Sequence, residues 1–318
     1  MNKYFRSLIL GFFLIMVIPA FSQDVKALSE AMVFRDDMDA SFTSFRYFMS
    51  LIKDQELSSE DILKENGVAI SPVRAADCML DPVRTNAFVQ SLYQATQNLE
   101  KDTVNILYVG CGPLAPFMTL TAPLLPHARY SLVEISENAA KTAQLLINRL
   151  NLQQQLDTLI IADATEMVVP NNNIFDIIIT ETMDAGLNTE MMIPILIHIL
   201  PQLKKEVILI PEEVSLELIL MNQQHQLERQ PIFTATELLN CYFEEQSFPR
   251  VSFPAVGKSE DKVFVGTQIK VFGDIQLDLD DSVLTRAIPI KTNPSKPMVF
   301  SYCITPPQLL INDKTCDP

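Results

Sequence analysis

The sequence predicts an α/β fold in which a parallel sheet lies between an N-terminal helical segment and a C-terminal β-rich region. Short apolar runs alternate with helical stretches over residues 101–211, as in sheets that are covered by helices on both faces. Residues 23–100 carry apolar residues at helical intervals, whereas residues 212–318 alternate apolar and polar residues. The length of 318 residues suits about two domains.

Residues 1–22 have the layout of a secretory signal peptide. Two basic residues precede an apolar run over residues 8–18, and small residues, Ala20 and Ser22, end the segment as at a cleavage site. The run is shorter than the roughly 20 residues of a transmembrane helix, which favours cleavage over an uncleaved membrane anchor. We therefore expect export or membrane tethering through residues 1–22, or a cytoplasmic location if the start codon is misassigned.

The segment before the sheet is expected to hold two helices. Residues 27–57 place apolar side chains at helix-like intervals, which predicts one long helix. Gly67 and Pro72 mark a loop. Pro82 suits the first turn of a second helix over residues 83–99.

Five buried strands are predicted for the sheet, over residues 104–109, 130–134, 158–162, 175–180 and 207–210. Between them we expect a poorly formed helix over residues 114–125, an amphipathic helix over 136–150 with Ser136 as its N-cap, and a helix over 191–203. Parallel sheets bind ligands beyond the carboxyl ends of their strands, so the residues that directly follow strands are the candidate contacts.

The region beyond residue 211 is predicted to be rich in β-strands and carries no catalytic signature of its own. Residues 214–220 alternate apolar and polar side chains, and residues 262–269 and 270–279 are expected to form two further strands. Asp280 and Asp281 are expected in a solvated turn.

The charge balance excludes some partners. The formal net charge of −15 argues against nucleic acid, which needs a basic surface to neutralise its phosphates, and leaves cationic ligands as natural partners. Three histidines and five scattered cysteines leave little material for a metal site, and none is predicted.

A glycine pair follows the first strand of the sheet. The chain has only eight glycines, and two of them, Gly110 and Gly112, flank Cys111. Without a Cβ, such a turn lets a ligand approach the backbone, and Glu134 at the end of the next strand can accept hydrogen bonds from ribose hydroxyls. Ala115 stands where a third glycine of a dinucleotide fingerprint would fall, which favours a nucleoside without a pyrophosphate.

A second acidic position follows the third strand. Asp163, followed by Ala164, closes that strand, where a carboxylate can meet the edge of an adenine. The alternative for Asp163 is a helix cap, a position at which aspartate is strongly preferred.

These segments carry a family resemblance. The sequences YVGCG, LVE, ADA and FDIIITE occur in the order and at the spacing of the class I S-adenosylmethionine-dependent methyltransferases. The resemblance implies a Rossmann-like sheet and S-adenosyl-L-methionine as the cofactor, bound by the residues of the glycine turn and by those that follow the second and third strands.

One subgroup matches better than the others. Residues 180–190, TETMDAGLNTE, resemble the loop with two glutamates of the protein arginine methyltransferases, with Glu181 and Glu190 at the glutamate positions and Met183 at a methionine the family often has. Upstream, MLDPVRT resembles the segment whose arginine pairs with the cofactor carboxylate, a role that the resemblance implies for Arg84.

The chain also departs from that family. Leu114 replaces the third glycine of its motif, Asp184 and Asn188 replace residues that are usually apolar or aromatic, and the barrel's Thr-His-Trp loop cannot exist in a chain without tryptophan. The C-terminal region is too short for a full barrel, so we expect a partial one.

The resemblance implies a methyltransferase that N-methylates a guanidinium or another cationic group held by Glu181 and Glu190. The alternatives are a class I methyltransferase that acts on a small molecule or another protein group, and an exported, non-catalytic binding protein that has kept the fold. A homodimer is typical of the family, and the sequence leaves open whether the shortened β region supports one.

Overall fold

The structure is a computed structural model that describes residues 24–171, 174–222 and 226–312. The predicted signal segment, residues 1–22, lies outside these ranges. Among the residues that are described, no helix has the length and apolar character that a membrane crossing requires.

The N-terminal segment contains more elements than its sequence predicts. They are α1 (Val25–Arg35), α2 (Met38–Leu51), β1 (Ile62–Lys64), β2 (Gly67–Ala69), α3 (Pro72–Asp77) and α4 (Pro82–Asn98). The single helix expected over residues 27–57 is wrong, because Asp36 adopts a left-handed conformation that ends α1. Asp37 then accepts a hydrogen bond from the Ala40 amide at 3.1 Å and starts α2.

The antiparallel β1–β2 hairpin lies where the sequence predicts only a loop. Its strands have three residues each and expose Leu63 and Lys64, so no apolar periodicity marks them.

The predicted parallel sheet is confirmed. Its elements are β3 (Val104–Val109), α5 (Pro116–Thr119), β4 (Ala128–Glu134), α6 (Glu137–Arg149), β5 (Leu156–Ile161), β6 (Ile177–Thr180), α7 (Met192–Ile199) and β7 (Ile208–Ile210). The strand order is β5-β4-β3-β6-β7, and every pairing is parallel. The carboxyl ends of β3, β4, β5 and β6 therefore open on one edge, where the candidate ligand contacts that follow these strands lie.

Two helices of the sheet differ from their predicted lengths. The helix expected over residues 114–125 is reduced to the single turn α5, and α7 ends at Ile199 and continues as a short 3₁₀ turn. By contrast, α6 begins as predicted, because the Ser136 hydroxyl accepts the Ala139 amide at 3.3 Å.

The C-terminal region forms two antiparallel sheets. Its elements are β8 (Glu213–Met221), β9 (Gln226–Thr234), α8 (Ala235–Glu245), β10 (Val251–Phe253), β11 (Lys262–Phe272), β12 (Ile275–Leu277), β13 (Ile288–Ile290), β14 (Met298–Ile304) and β15 (Pro307–Ile311). One sheet has the order β12-β11-β8-β9 with β13 paired to β11, and the other has the order β10-β14-β15.

The structure differs from the sequence-based expectation for this region in two places. The strands expected over residues 262–269 and 270–279 are one long strand, β11, followed by the short β12. Helix α8 was missed, although Thr234 and Glu237 form a capping box whose T-x-x-E signature stands in the sequence.

The core is continuous between the two halves of the chain. Helix α4 packs against β6 and β7 of the parallel sheet and also against β11 and β12. Its Phe88 is fully buried and stacks on Phe117 with ring centroids 5.1 Å apart, which contributes roughly 1.5–3 kcal/mol through burial of the Phe88 side chain alone.

Asp176 anchors the start of β6. Its side chain is 4% exposed and accepts hydrogen bonds from Lys101 Nζ and Lys204 Nζ, each at 2.6 Å, and from the Asn105 amide at 3.1 Å. Burial favours the protonated acid, but the hydrogen bonds from the two lysines outweigh it, and the pKa of Asp176 is lowered.

We expect Asp176→Asn to destabilise the protein by about 1–3 kcal/mol at pH 7, because charged hydrogen bonds are lost. A lowered pKa stabilises the fold above the unfolded-state value of about 3.9, and this contribution disappears as the pH falls through the folded-state value. Urea unfolding from pH 3 to pH 7 measures both effects. Asp157→Asn, an exposed substitution on β5, is the control, and equal midpoints for the two variants would contradict the assignment.

Candidate active site

The glycine turn after β3 is held by the Glu134 carboxylate. The Gly112 amide donates to Glu134 Oε2 and the Ser136 amide donates to Oε1, both at 2.8 Å. Gly112 has φ +64°, a conformation in which glycine is favoured. Burial raises the pKa of Glu134 against the opposing effect of these backbone bonds. Each carboxylate oxygen keeps acceptor capacity for a ligand hydroxyl.

Gly110 is required for a different reason from the one its motif suggests. Its φ is +72°, and a Cβ at this position would collide with the side chain of Thr182. The glycine turn therefore leaves room for the segment that follows β6 as well as for a ligand. Because Glu181 belongs to that segment, it lies close to the glycine turn.

A largely apolar cavity lies at this edge of the sheet. All but one of the residues predicted to bind the cofactor line this cavity, namely Gly110, Cys111, Gly112, Glu134, Asp163 and Ala164. The remaining residue, Arg84, does not. The Cys111 thiol is fully buried, which raises its pKa well above the usual value, so this cysteine is an apolar lining group and a poor nucleophile.

Asp163 is engaged from two sides. Its Oδ1 accepts the amide of Thr165 at 2.9 Å and the hydroxyl of the same residue at 2.7 Å, and its Oδ2 lies 3.0 Å from Lys64 Nζ on the β1–β2 hairpin. Burial raises its pKa, but the bonds from Thr165 and Lys64 outweigh this effect and lower it. Asp163 thus caps a turn and not the helix of the alternative interpretation, and the same residue lines the cavity; its contact with an adenine stays a prediction.

Arg84 lies beside the cavity, on the side of a second, acidic cleft. The residue is 7% exposed, and its Nη2 donates to the Cys78 carbonyl at 2.6 Å while its Nη1 is 3.5 Å from Glu181 Oε1. The guanidinium is therefore linked to Glu181, and Arg84 lines the cleft but not the cavity, whereas Cys78 and Glu181 line both.

Glu181 and Glu190 line both the apolar cavity and the acidic cleft. Burial raises the pKa of Glu181 to about 7, although the charge of Arg84 acts in the opposite direction. Burial also raises the pKa of Glu190 to about 8, and the charges of Glu181 and Asp184 add to this shift. The two carboxylates predicted from the sequence are thus brought together at the junction of the two depressions.

Acidic side chains dominate the cleft beyond this junction. The acids are Asp77, Asp81, Glu181, Asp184, Glu190, Asp280 and Asp281, against the cations Arg74, Arg84 and Arg286. Asp280 and Asp281 are exposed, as the sequence suggests, but they stand on the wall of this cleft. An excess of carboxylates around a concave surface favours a cationic ligand.

Sequence reasoning missed two sets of site residues. Val68, Ala69 and Ile70, in and just after β2, form part of the cavity wall, and nothing in their sequence marks them. For Asp184, the sequence indicates only a departure from the family pattern. Its carboxyl is partly buried and accepts the Thr189 hydroxyl at 3.1 Å, and burial raises its pKa to about 6.

No protein-family model and no curated protein matches the sequence. The fold is similar to a Trypanosoma brucei PRMT1 enzyme–prozyme heterotetrameric complex with AdoHcy, with a TM-score of 0.51 and 14% identity over 71% of this chain and 86% of that one. It is also similar to a crystal structure of PRMT6–SAH, with a TM-score of 0.55 and 11% identity over 76% of this chain and 100% of that one.

These similarities confirm the predicted fold class. The chain has the fold of the class I methyltransferases in the form found in the protein arginine methyltransferases, with a parallel sheet, N-terminal helices and antiparallel sheets that follow.

The free protein should lose stability as the pH rises, because Glu190 is buried with a raised pKa. The fold favours its protonated form, so this contribution is complete below the usual pKa of 4.5 and is lost as the pH rises through about 8. We expect Glu190→Gln to be more stable than the wild type by at least about 1 kcal/mol at pH 8 and similar to it at pH 5. Denaturant unfolding at both values, with the exposed Glu206→Gln as control, tests this; an unchanged difference between the two pH values would refute it.

Proposed function

We propose that the protein is an S-adenosylmethionine-dependent methyltransferase and that Glu181 and Glu190 hold a cationic methyl acceptor, of which a guanidinium is the favoured example. One observation carries this proposal: the two glutamates lie where an apolar cavity at the carboxyl edge of the sheet meets an acidic cleft. A cofactor in the cavity and an acceptor in the cleft would meet between them.

The lining of the cavity fits S-adenosylmethionine. Glu134 has acceptor capacity for two ribose hydroxyls, Asp163 and Ala164 stand where an adenine edge would lie, and the apolar walls suit a nucleoside without phosphates. The resemblance assigns Arg84 to the carboxylate of the amino-acid end, but Arg84 lines the cleft and bonds to Glu181, so its guanidinium would have to release Glu181 to reach a ligand in the cavity. When bound, the cofactor supplies an electrophilic methyl group on a sulfonium.

The residues of the cleft then have to position the acceptor. A guanidinium stays charged at any accessible pH and presents a planar fork of donors, which paired carboxylates bind bidentately. Holding one nitrogen in line with the methyl carbon can lower the activation barrier by about 7–11 kcal/mol, because the entropy cost of bringing the reactants together is met on binding. The raised pKa of Glu190, about 8, also makes it a competent acceptor for the proton that the nitrogen releases.

Two other functions stay open as alternatives. A class I methyltransferase that acts on a small molecule or another protein group would use the same cavity, and the two polar departures within residues 181–190, Asp184 and Asn188, favour it. An exported, non-catalytic binding protein is favoured by the predicted signal peptide, because S-adenosylmethionine is made in the cytosol. We also propose export or membrane tethering through residues 1–22, and a homodimer. N-terminal mass analysis tests the first and light scattering tests the second.

Calorimetry with S-adenosylmethionine and S-adenosylhomocysteine on residues 23–318 tests cofactor binding. We expect Glu134→Gln to weaken binding by about 10- to 100-fold, because charged hydrogen bonds are lost from the glycine turn and from the ribose. Glu137→Gln, whose side chain pairs on the surface with Lys141, is the matched control and should bind as the wild type does. No binding at millimolar ligand would reject both enzyme functions.

Substitution of the two glutamates separates the proposed mechanism from other methyl transfers. With free arginine, methylguanidine and an arginine-rich peptide as trial acceptors, Glu181→Gln and Glu190→Gln should each lower kcat by about 100-fold or more while the affinity for S-adenosylhomocysteine is retained. Glu206→Gln again serves as control. If Glu190→Gln turns over as fast as the wild type, a two-glutamate mechanism is wrong.

A further inference from the structure

The loop that carries Glu190 has an unusual backbone. Leu187 has φ +53° and Thr189 has φ +60°, and the β-branched side chain of threonine makes this left-handed conformation particularly unfavourable. Strain of this kind persists only where surrounding contacts over-determine the conformation, and it is typical of functional sites.

Residues far along the chain hold the first part of this loop. The Tyr302 hydroxyl on β14 donates to the Leu187 carbonyl, and the Leu309 amide on β15 donates to Asn188 Oδ1, both at 2.8 Å. The C-terminal β14–β15 hairpin thus fixes the loop that leads to the second glutamate.

The backbone of Thr189, directly before Glu190, is held by hydrogen bonds at both its amide and its carbonyl. Its amide donates to the Pro307 carbonyl of β15 at 2.8 Å, and its carbonyl accepts the Val68 amide of β2 at 2.8 Å. The position of Glu190 therefore depends on two hairpins that belong to opposite ends of the chain.

The β1–β2 hairpin that supplies one of these bonds also covers the cofactor cavity. Val68 and Ala69 line the cavity, and Lys64 reaches Asp163 on its wall at 3.0 Å. A molecule in the cavity would therefore contact the same short strand that holds the Thr189 carbonyl.

We propose that Thr189 is a positioning residue, and that its hydrogen bond to Val68 couples occupation of the cavity to the placement of Glu190. Closure of the β1–β2 hairpin over a nucleoside fixes Val68, which fixes the Thr189 carbonyl and with it the neighbouring acceptor carboxylate. This inference rests on the proposed function, because it takes the cavity to be the cofactor site and Glu190 to hold the acceptor. By reciprocity, loosening the Thr189 contact must weaken cofactor binding.

Gly67 offers a sharp test of the coupling. A Cβ at this position would lie 2.6 Å from the Thr189 carbonyl oxygen and 2.8 Å from Met191 Cγ, so Gly67→Ala pushes the hairpin away from the loop. Gly273→Ala is the control for an alanine at positive φ, which is +57° at Gly273 against +123° at Gly67, and the nearest atom to its added Cβ is Gln94 Oε1 at 3.7 Å. Neither glycine belongs to the proposed binding residues.

The experiment measures S-adenosylhomocysteine affinity by calorimetry and amide hydrogen exchange by NMR on the full chain. We expect Gly67→Ala to weaken affinity by about tenfold and Gly273→Ala to leave it unchanged. In the wild type, ligand should slow exchange of the Val68 and Thr189 amides at least about fivefold more than that of Val299, which lies at the far end of the β14–β15 hairpin and bonds to Asn312.

The outcomes are distinguishable. If S-adenosylhomocysteine binds but the Val68 and Thr189 amides respond no more than Val299, or if Gly67→Ala binds as tightly as the wild type, the coupling is wrong and the proposed function stands. If the wild type does not bind the ligand at all, the proposed function fails and the coupling fails with it. Should Gly67→Ala not fold, the exchange measurement on the wild type decides alone.

Discussion

The rest of the site depends on one constraint, the repulsion between the buried carboxylates of Glu181 and Glu190. Burial and the charges of Glu181 and Asp184 raise the pKa of Glu190, and the charge of Arg84 offsets only part of this shift. Two such charges 4 Å apart repel by about 4 kcal/mol at an effective dielectric of 20. A free loop would relax by moving the carboxylates apart. The backbone strain and the hydrogen bonds from both hairpins prevent this, and a cationic group in the cleft would relieve the repulsion that remains.

The sequence predicts the parallel sheet and the residues that follow its strands well, for a physical reason. Strands buried on both faces must be almost wholly apolar, and parallel strands bring their carboxyl ends to one edge, so Gly110, Glu134, Asp163 and Glu181 could be placed together without a structure. The β1–β2 hairpin and the partners of residues 187–189 could not be found this way. A bond such as that between Tyr302 and Leu187 joins residues 115 positions apart, and its existence depends on a register that no local pattern encodes.

The segment between β12 and β13, in the C-terminal region, forms one wall of the acidic cleft and contains Asp280, Asp281 and Arg286. None of the described residues that line the cleft is aromatic. The cleft can therefore select a ligand by its charge rather than by stacking on a ring.

The Asp81 carboxylate joins the two halves of the chain at this wall. Its Oδ1 caps α4 by accepting the Arg84 amide at 3.1 Å, while its Oδ2 accepts the Ser282 hydroxyl at 2.7 Å and the Val283 amide at 2.9 Å. One side chain thus starts the helix that carries the buried arginine and docks a segment 201 and 202 positions further along the chain. The cleft is consequently not a modular unit. A chimera that exchanged the region after residue 211 for that of a relative would keep the residues that line the cavity, but it would lose the partners that hold Asp81 and the loop before Glu190.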